Sequence, residues 1–368
     1  MQRIRVNAAS SSYDVVVAGG CIERAAEEIQ AVSGSRRIFV IADEGALAVL
    51  GDRLERSLAA LNPTLFPIRL GEERKRLAVV EELAERMHRA GADRSAVVVT
   101  FGGGIAGDLG GFVAASYMRG VSFVQIPTTL LAQVDASVGG KTGVNLSSGK
   151  NLIGAFHQPL LVLIDPQTLA TLPAQEYRAG LFEVIKHGII WSPELFQVLE
   201  DQRDAVIARE PTVLEKIVAD SVRIKASVVS EDERESGLRR ILNYGHTLGH
   251  GLEAETGYRR LLHGEAVGWG MIAAGRLAES LGMFSATDRA RAEQLILAYG
   301  PLPDLAGVDP AAVAARIHGD KKTIGGKVHF VLPTAIGKVE VIVNPAADKV
   351  LAATQAAFDV VARTAAAQ

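Results

Sequence analysis

Cysteine is nearly absent: Cys21 is the single one in 368 residues. No disulfide can form within the chain, and a reducing compartment suits it. Charge of either sign is not in excess. Lysine and arginine number 39 against 42 acidic residues, a net charge of −3, so nothing global points to nucleic acid or an anionic membrane. Any anion must be met by a local basic cluster. No run of about 18 apolar residues occurs, so no transmembrane helix is expected. The opening Met1-Gln2-Arg3-Ile4-Arg5-Val6 has no apolar core of signal-peptide length. A cytoplasmic protein is therefore expected. There is no internal repeat and no low-complexity linker.

Glycine, by contrast, is plentiful at 37 residues, concentrated between Gly102 and Gly154, where a backbone approaching a ligand needs it. The first half alternates β-rich runs with amphipathic stretches. Tyr13–Ala18, Arg37–Ala42, Leu65–Leu70, Ala96–Phe101, Val121–Ile126 and Leu160–Ile164 read as strands. Ile22–Ala31, Ala46–Ala60, Arg76–Ala90 and Asp108–Tyr117 read as helices. That alternation predicts a parallel sheet covered on both faces, a Rossmann-like α/β domain. Ligands of such sheets bind beyond the carboxyl ends of the strands. After Thr171-Leu172-Pro173 the pattern turns helical. Val328–Leu332 and Val339–Val343 predict a late hairpin, and a last helix is expected over about Ala346–Ala365. The length suggests two domains. We place them at 1–174, α/β, and 175–368, mainly α-helical.

Three of the eight histidines fall close together, in Asn243-Tyr244-Gly245-His246-Thr247-Leu248-Gly249-His250 and Leu262-His263-Gly264-Glu265. On a helix His246 and His250 share a face. Clustered imidazoles suit a divalent metal. No acid stands where H-E-x-x-H would put a hydrolytic base, so such a metal would not serve hydrolysis. Spacing alone leaves open a second reading, histidines satisfied near helix ends.

Gly102, Gly104 and Gly107 fit G-x-G-x-x-G between a strand and a helix, which suits a dinucleotide pyrophosphate. The loop follows the fourth strand, not the first, and no acidic residue lies between Asp108 and Asp135 to hold a ribose. Asp43, at the end of another strand, is a ribose candidate or a helix N-cap. Gly139-Gly140-Lys141-Thr142 is not a P-loop, because Asp135 stands where the first glycine belongs. Lysines on such backbone still suit a phosphate-bearing ligand. Lys186, Lys225, Arg239, Lys321 and Lys322 add cations to the second half. Each reads as a solvated surface charge except Lys186, three residues after Glu183 on one helix face.

Gly102–Gly111, Tyr117–Gly120, Pro127–Asn145, Gly149–Phe156, Glu183–Lys186, Asn243–His250 and His263–Val267 together resemble the 3-dehydroquinate synthase family, collinearly over nearly the whole chain. The resemblance implies an NAD-binding α/β domain, a helical C-terminal domain and a homodimer. It implies the substrate 3-deoxy-D-arabino-heptulosonate 7-phosphate. The reaction would run by transient NAD oxidation, β-elimination of phosphate, reduction and aldol closure. It implies a divalent metal, zinc or alternatively cobalt, on Glu183, His246 and His263. His250 then resembles a proton-handling residue, joined at the substrate by Asp135, Lys141, Asn151, Lys186, Lys225, Arg239 and Asn243. Arg119 resembles an arginine lent to the phosphate across the dimer, and Lys322, in preference to Lys321, reaches the substrate. The implied NAD contacts are Asp43, Glu72 to Lys75, Gly103, Gly104, Gly107 and Asp108, with Thr128, Thr129, Lys150, Thr168 and Thr171.

Two stretches depart from the family pattern. Gly71-Glu72-Glu73-Arg74-Lys75 is more charged than the usual Gly-Glu-Lys-Tyr-Lys, and His187 stands where tyrosine is usual. Both bear on cofactor affinity more than on reaction type. The rival readings are another sugar phosphate cyclase, acting on sedoheptulose 7-phosphate or glucose 6-phosphate, and a metal-dependent polyol dehydrogenase.

Overall fold

A run such as Ile38-Phe39-Val40-Ile41-Ala42 has no polar face, so as a strand it must be covered on both sides. The computed structural model, which describes residues 1–317 and 327–366, puts it in the middle of a seven-stranded sheet. The strands among the described residues are β1 (Gln2–Asn7), β2 (Ser12–Val17), β3 (Ile38–Asp43), β4 (Thr64–Ile68), β5 (Val97–Gly102), β6 (Ser122–Pro127), β7 (Lys141–Leu146), β8 (Gly149–Phe156), β9 (Leu161–Ile164), β10 (His329–Ala335) and β11 (Lys338–Val343). The large sheet runs β1-β2-β9-β6-β5-β3-β4. It is parallel throughout except at its β1 edge. The six predicted strands are its parallel members. β1 is an addition that the sequence pattern does not predict. Its outward Arg3 and Arg5 pair with Asp14 across the edge, and charge of this kind discourages further strand addition.

Two compact units emerge, Met1–Pro173 with Pro211–Arg234, and Ala174–Glu210 with Glu235–Gln368. In the first, helices Ala25–Ser33 and Glu44–Leu58 seal one apolar layer with Val40, Val99 and Leu163. Helices Leu77–Arg89 and Gly104–Ser116 seal another with Phe39, Ile41 and Val98. The polar, glycine-rich run after β6 is not an open loop. A π-helical turn, Ala132–Ala136, leads into the antiparallel hairpin β7–β8.

Helix Pro211–Glu231, which the sequence places in a helical second half, packs with the first unit. Its Ser230 Oγ accepts from the Asn7 amide at 2.9 Å, and its Glu215 Oε2 accepts from the Gly19 amide at 3.0 Å. Helical periodicity reports which face is buried but not against which partner.

The second unit centres on helix His263–Ser280, buried nearly all round. Helices Ala174–Ile190 and His246–Glu255 lie against it, with β10–β11 beyond. The backbones approach closely where this helix has no side chain. A Cβ on Gly264 would lie 1.9 Å from the Ala179 carbonyl oxygen, and one on Gly270 1.8 Å from that of Gly245. Both obstacles are main chain and cannot rotate away. Gly270→Ala should therefore cost about 3 kcal/mol or more, at or beyond the upper end of core overpacking. An unchanged urea midpoint for that variant would show that the helices need no such contact.

Candidate active site

The glycine contacts set where the second unit's side chains meet. Glu183 lies in mid-helix in Ala174–Ile190, fully buried with Lys186 and His187. His246 and His263 are the first residues of their helices. The second of these starts is fixed by Glu265, whose Oε2 accepts from the Leu262 amide at 2.7 Å and whose Oε1 accepts from Gln175 Nε2 at 2.9 Å. A glutamate at this position caps the helix N-terminus.

Around Glu183 the geometry converges. Its Oε1 lies 3.6 Å from His246 Nε2 and 4.0 Å from His263 Nε2, and it accepts no hydrogen bond among the described residues. Its Oε2 accepts from Lys186 Nζ. The His246 and His263 rings are 5.2 Å apart, and His250 stands 5.5 and 5.8 Å from them. One carboxylate oxygen and two imidazole nitrogens within 4.8 Å of one another form a set that can hold a metal ion. The outer contacts suit that use. His246 Nδ1 lies 3.1 Å from the Tyr244 carbonyl, and His263 Nδ1 lies 3.4 Å from Glu253 Oε2. Each donates outward, which leaves Nε2 as the lone-pair nitrogen; contacts of this kind orient metal-binding histidines. Glu253 escapes the sequence reading, although it follows His250 by three residues.

Arg239, read from sequence as surface charge, is buried in the 3-10 turn Leu238–Asn243. At the end of that turn Asn243 Nδ2 donates to Glu235 Oε1 at 2.5 Å. Glu235 is a second carboxylate that sequence reading missed. It holds a left-handed backbone, φ 60°, which is costly outside glycine and asparagine and is a mark of functional positions.

In the first unit Lys225 is likewise no surface lysine. Buried on helix Pro211–Glu231, it donates to Asp135 Oδ1 at 2.6 Å and to the Asp135 carbonyl. Lys75 is buried too, and donates at 2.5 Å to both Asp108 Oδ2 and Asn151 Oδ1. Burial pushes the Asp108 carboxyl above its ordinary range, with Lys75 pulling the other way. Glu72 lies 4.0 Å from Lys150. Lys141 opens β7 and is exposed, as is Arg119, at φ 69° in a turn after helix Gly104–Ser116.

The candidates for a dinucleotide gather at the carboxyl ends of β3, β5 and β6. Gly103 and Gly104 begin helix Gly104–Ser116, whose N-terminus has no side-chain cap, so its amides face outward with the positive end of the helix dipole. Asp43 occupies an N-cap position but does not cap; its Oδ1 accepts from the Leu70 amide at 3.3 Å. Gly107 faces the Gln125 side chain, where a Cβ would be 2.5 Å from Oε1, so it serves packing on the sheet. The Thr128 amide bonds the Gly102 carbonyl, and Thr129 Oγ1 accepts from the Ala132 amide. Thr168 is buried between Gln133 and Asp165, and Thr171 donates to the Thr168 carbonyl. Lys321 and Lys322 lie outside the described residues.

Comparison with known proteins gives a consistent result. The family models for the 3-dehydroquinate synthase N-terminal and C-terminal regions match residues 65–179 and 180–323. A 3-dehydroquinate synthase of Solibacter usitatus is 54% identical over 319 residues, 87% of this chain and 89% of that protein. Among solved structures, 2-epi-5-epi-valiolone synthase from Streptomyces hygroscopicus with NAD+ and Zn2+ superposes with a TM-score of 0.87 at 30% identity, covering 95% of this chain and 98% of that one. A 2-deoxy-scyllo-inosose synthase with carbaglucose-6-phosphate, NAD+ and Co2+ gives 0.88 at 26%, covering 97% and 100%.

Glu253→Gln keeps the size of the group behind His263 but removes its charge. Zinc affinity, read by competition with a chromogenic chelator, should fall about 10–100-fold, the usual cost of losing the partner behind a metal-binding histidine. His263→Ala should lose the metal altogether with the far-UV circular dichroism unchanged. Wild-type affinity in His263→Ala would remove His263 from the site, and wild-type affinity in Glu253→Gln would remove any role for the Glu253 charge behind it.

Proposed function

The chain belongs to the 3-dehydroquinate synthase family, and we propose the roles by which its residues turn 3-deoxy-D-arabino-heptulosonate 7-phosphate into 3-dehydroquinate and phosphate. It is an enzyme, a lyase of the shikimate pathway. The observation that carries the roles is the buried Glu183 oxygen, without a hydrogen bond among the described residues and facing two imidazole nitrogens. That donor set fits zinc, or cobalt. The uncapped helix start at Gly103 and the carboxylate of Asp43 fit NAD. The ions and NAD+ bound to the two solved relatives support both assignments. When bound, the cation polarises vicinal substrate oxygens as a Lewis acid and NAD accepts and returns a hydride.

The rest falls to the chain. Lys186 neutralises the second oxygen of Glu183 and so holds the carboxylate in place. His250, beside both histidine ligands, takes and returns the proton of the hydroxyl whose carbon gives up the hydride. Arg239 meets the substrate carboxylate. Asn243 orients a hydroxyl while Glu235, bonded to it, is placed to accept a proton. Lys225 and Asp135, held to each other, position the ring for closure. Lys141 and Asn151 take the phosphate with Lys322, and Arg119 is lent by a second copy in a homodimer. Its exposure on the turn after helix Gly104–Ser116 is consistent with that use. The leaving phosphate can itself remove the neighbouring proton, so no dedicated base is required. We assign NAD binding to the α/β domain and metal and substrate binding to the helical one. A cytoplasmic location is consistent with the single, buried Cys21.

A second reading, a sugar phosphate cyclase for sedoheptulose 7-phosphate or glucose 6-phosphate, is favoured by the carbaglucose-6-phosphate in one structural relative. A buried Arg239 weighs against it, because those substrates have no carboxylate to meet a guanidinium. Enzyme, zinc and catalytic NAD+ should release phosphate from the heptulosonate phosphate without net NADH, and at least about 100-fold faster than from the other two sugars. Stoichiometric NADH, or preference for either neutral sugar phosphate, would contradict the assignment.

A further inference from the structure

One buried side chain in the first unit joins two sets of proposed contacts and belongs to neither. Asn145 sits near the end of β7, almost fully buried. Its Nδ2 donates to Glu72 Oε1 at 2.6 Å and to the Glu72 carbonyl at 3.3 Å. Its Oδ1 accepts from the Asn151 amide at 2.7 Å, and its own amide donates to the Lys75 carbonyl at 2.7 Å. Lys75 closes the ring by donating to both Asn151 and Asp108. A single carboxamide thus uses both ends at once. One end holds the turn Glu72–Arg74, and the other holds Asn151, whose φ of 52° is left-handed within a strand.

We propose that Asn145 is a positioning residue that couples the cofactor-side turn at Glu72 and Lys75 to the phosphate-side Asn151. This rests on the roles assigned above. A carboxamide has a donor and an acceptor side by side on one rigid plane. An aspartate accepts at both ends and would face the Glu72 carboxylate with like charge. A leucine would leave the Asn151 amide without its acceptor and remove the short bond to Glu72, whose carboxylate would keep only the longer contact to Lys150. Asn151 takes a left-handed conformation that asparagine tolerates, and its amide and its side chain are both held there.

The test is a set of variants read by NAD+ binding in the absence of substrate, followed by KM for the phosphorylated substrate. Asn145→Asp should weaken NAD+ about tenfold with little change in the thermal midpoint. Glu72→Gln should weaken it less. In the double variant the carboxamide now at position 72 can donate to the carboxylate now at position 145. That reverses the original bond, and binding should be no weaker than in Glu72→Gln alone. A merely structural asparagine gives no such rescue. Asn145→Ala, which releases the Asn151 amide as well, should raise the substrate KM about tenfold while Asn145→Asp leaves it within about threefold. Multiplying losses in the double variant, or wild-type NAD+ affinity in Asn145→Asp, would overturn the proposal. If Asn145→Ala does not fold, the rescue experiment decides alone. Wild-type protein that binds NAD+ but releases no phosphate would instead sink the functional assignment and leave the coupling standing.

Discussion

A carboxylate buried without full compensation is the constraint on which the second unit depends. Taking Glu183 out of water costs several kcal/mol unless charge and hydrogen bonds are returned to it. Lys186 returns them to one oxygen. The other oxygen faces His246 and His263 at 3.6 and 4.0 Å, too long for good hydrogen bonds and suited to a cation placed among the three groups. The rest of the unit serves that placement. Two glycines let helix His263–Ser280 touch its neighbours at main-chain distance. Glu265 fixes where that helix begins, and Tyr244 and Glu253 turn the imidazoles. Each of these helps to fix where a nitrogen lies, and a metal site tolerates displacements of only about 0.2 Å.

The first unit solves a different problem with the same means. Its sheet brings the ends of β3, β5 and β6 together, and the groups proposed to meet the ligand lie on loops and turns that would be mobile if left alone. They are tied down by buried amides and ammonium groups. Lys75 and Asn145 bind the turn Glu72–Arg74 to the β7–β8 hairpin, and Lys225 binds a helix to the turn containing Asp135. Buried polar networks that are satisfied at every member rigidify a site more than they stabilise a fold.

Much of this was legible in the amino-acid order. Continuous apolar runs such as Ile38 to Ala42 can only be covered strands. The spacing of His246, His250 and His263 allowed a metal or histidines satisfied near helix ends, and it was the resemblance that chose the metal and added Glu183. What escaped detection depended on partners distant in sequence. β1 is short, alternating and charged, and is a strand only because β2 lies beside it. The β7–β8 hairpin is too polar and glycine-rich to look like sheet. Lys225 and Arg239 look like ordinary surface cations until the fold buries them beside Asp135 and within the turn Leu238–Asn243. Asp43 had the sequence of an N-cap, yet its side chain turns to the Leu70 amide. Glu235, Glu253 and Asn145 carry no spacing motif. Their importance lies in which atom they touch.

Every proposed role in the second unit follows from Glu183, His246 and His263 being the protein's ligands to one divalent cation. X-ray absorption at the zinc edge of the purified, zinc-loaded protein tests that assignment without reference to turnover. The expected coordination shell holds nitrogen and oxygen only, at about 2.0–2.2 Å, with the outer scattering of two imidazoles. A shell containing sulfur near 2.3 Å, or one of oxygen alone without imidazole scattering, would contradict it.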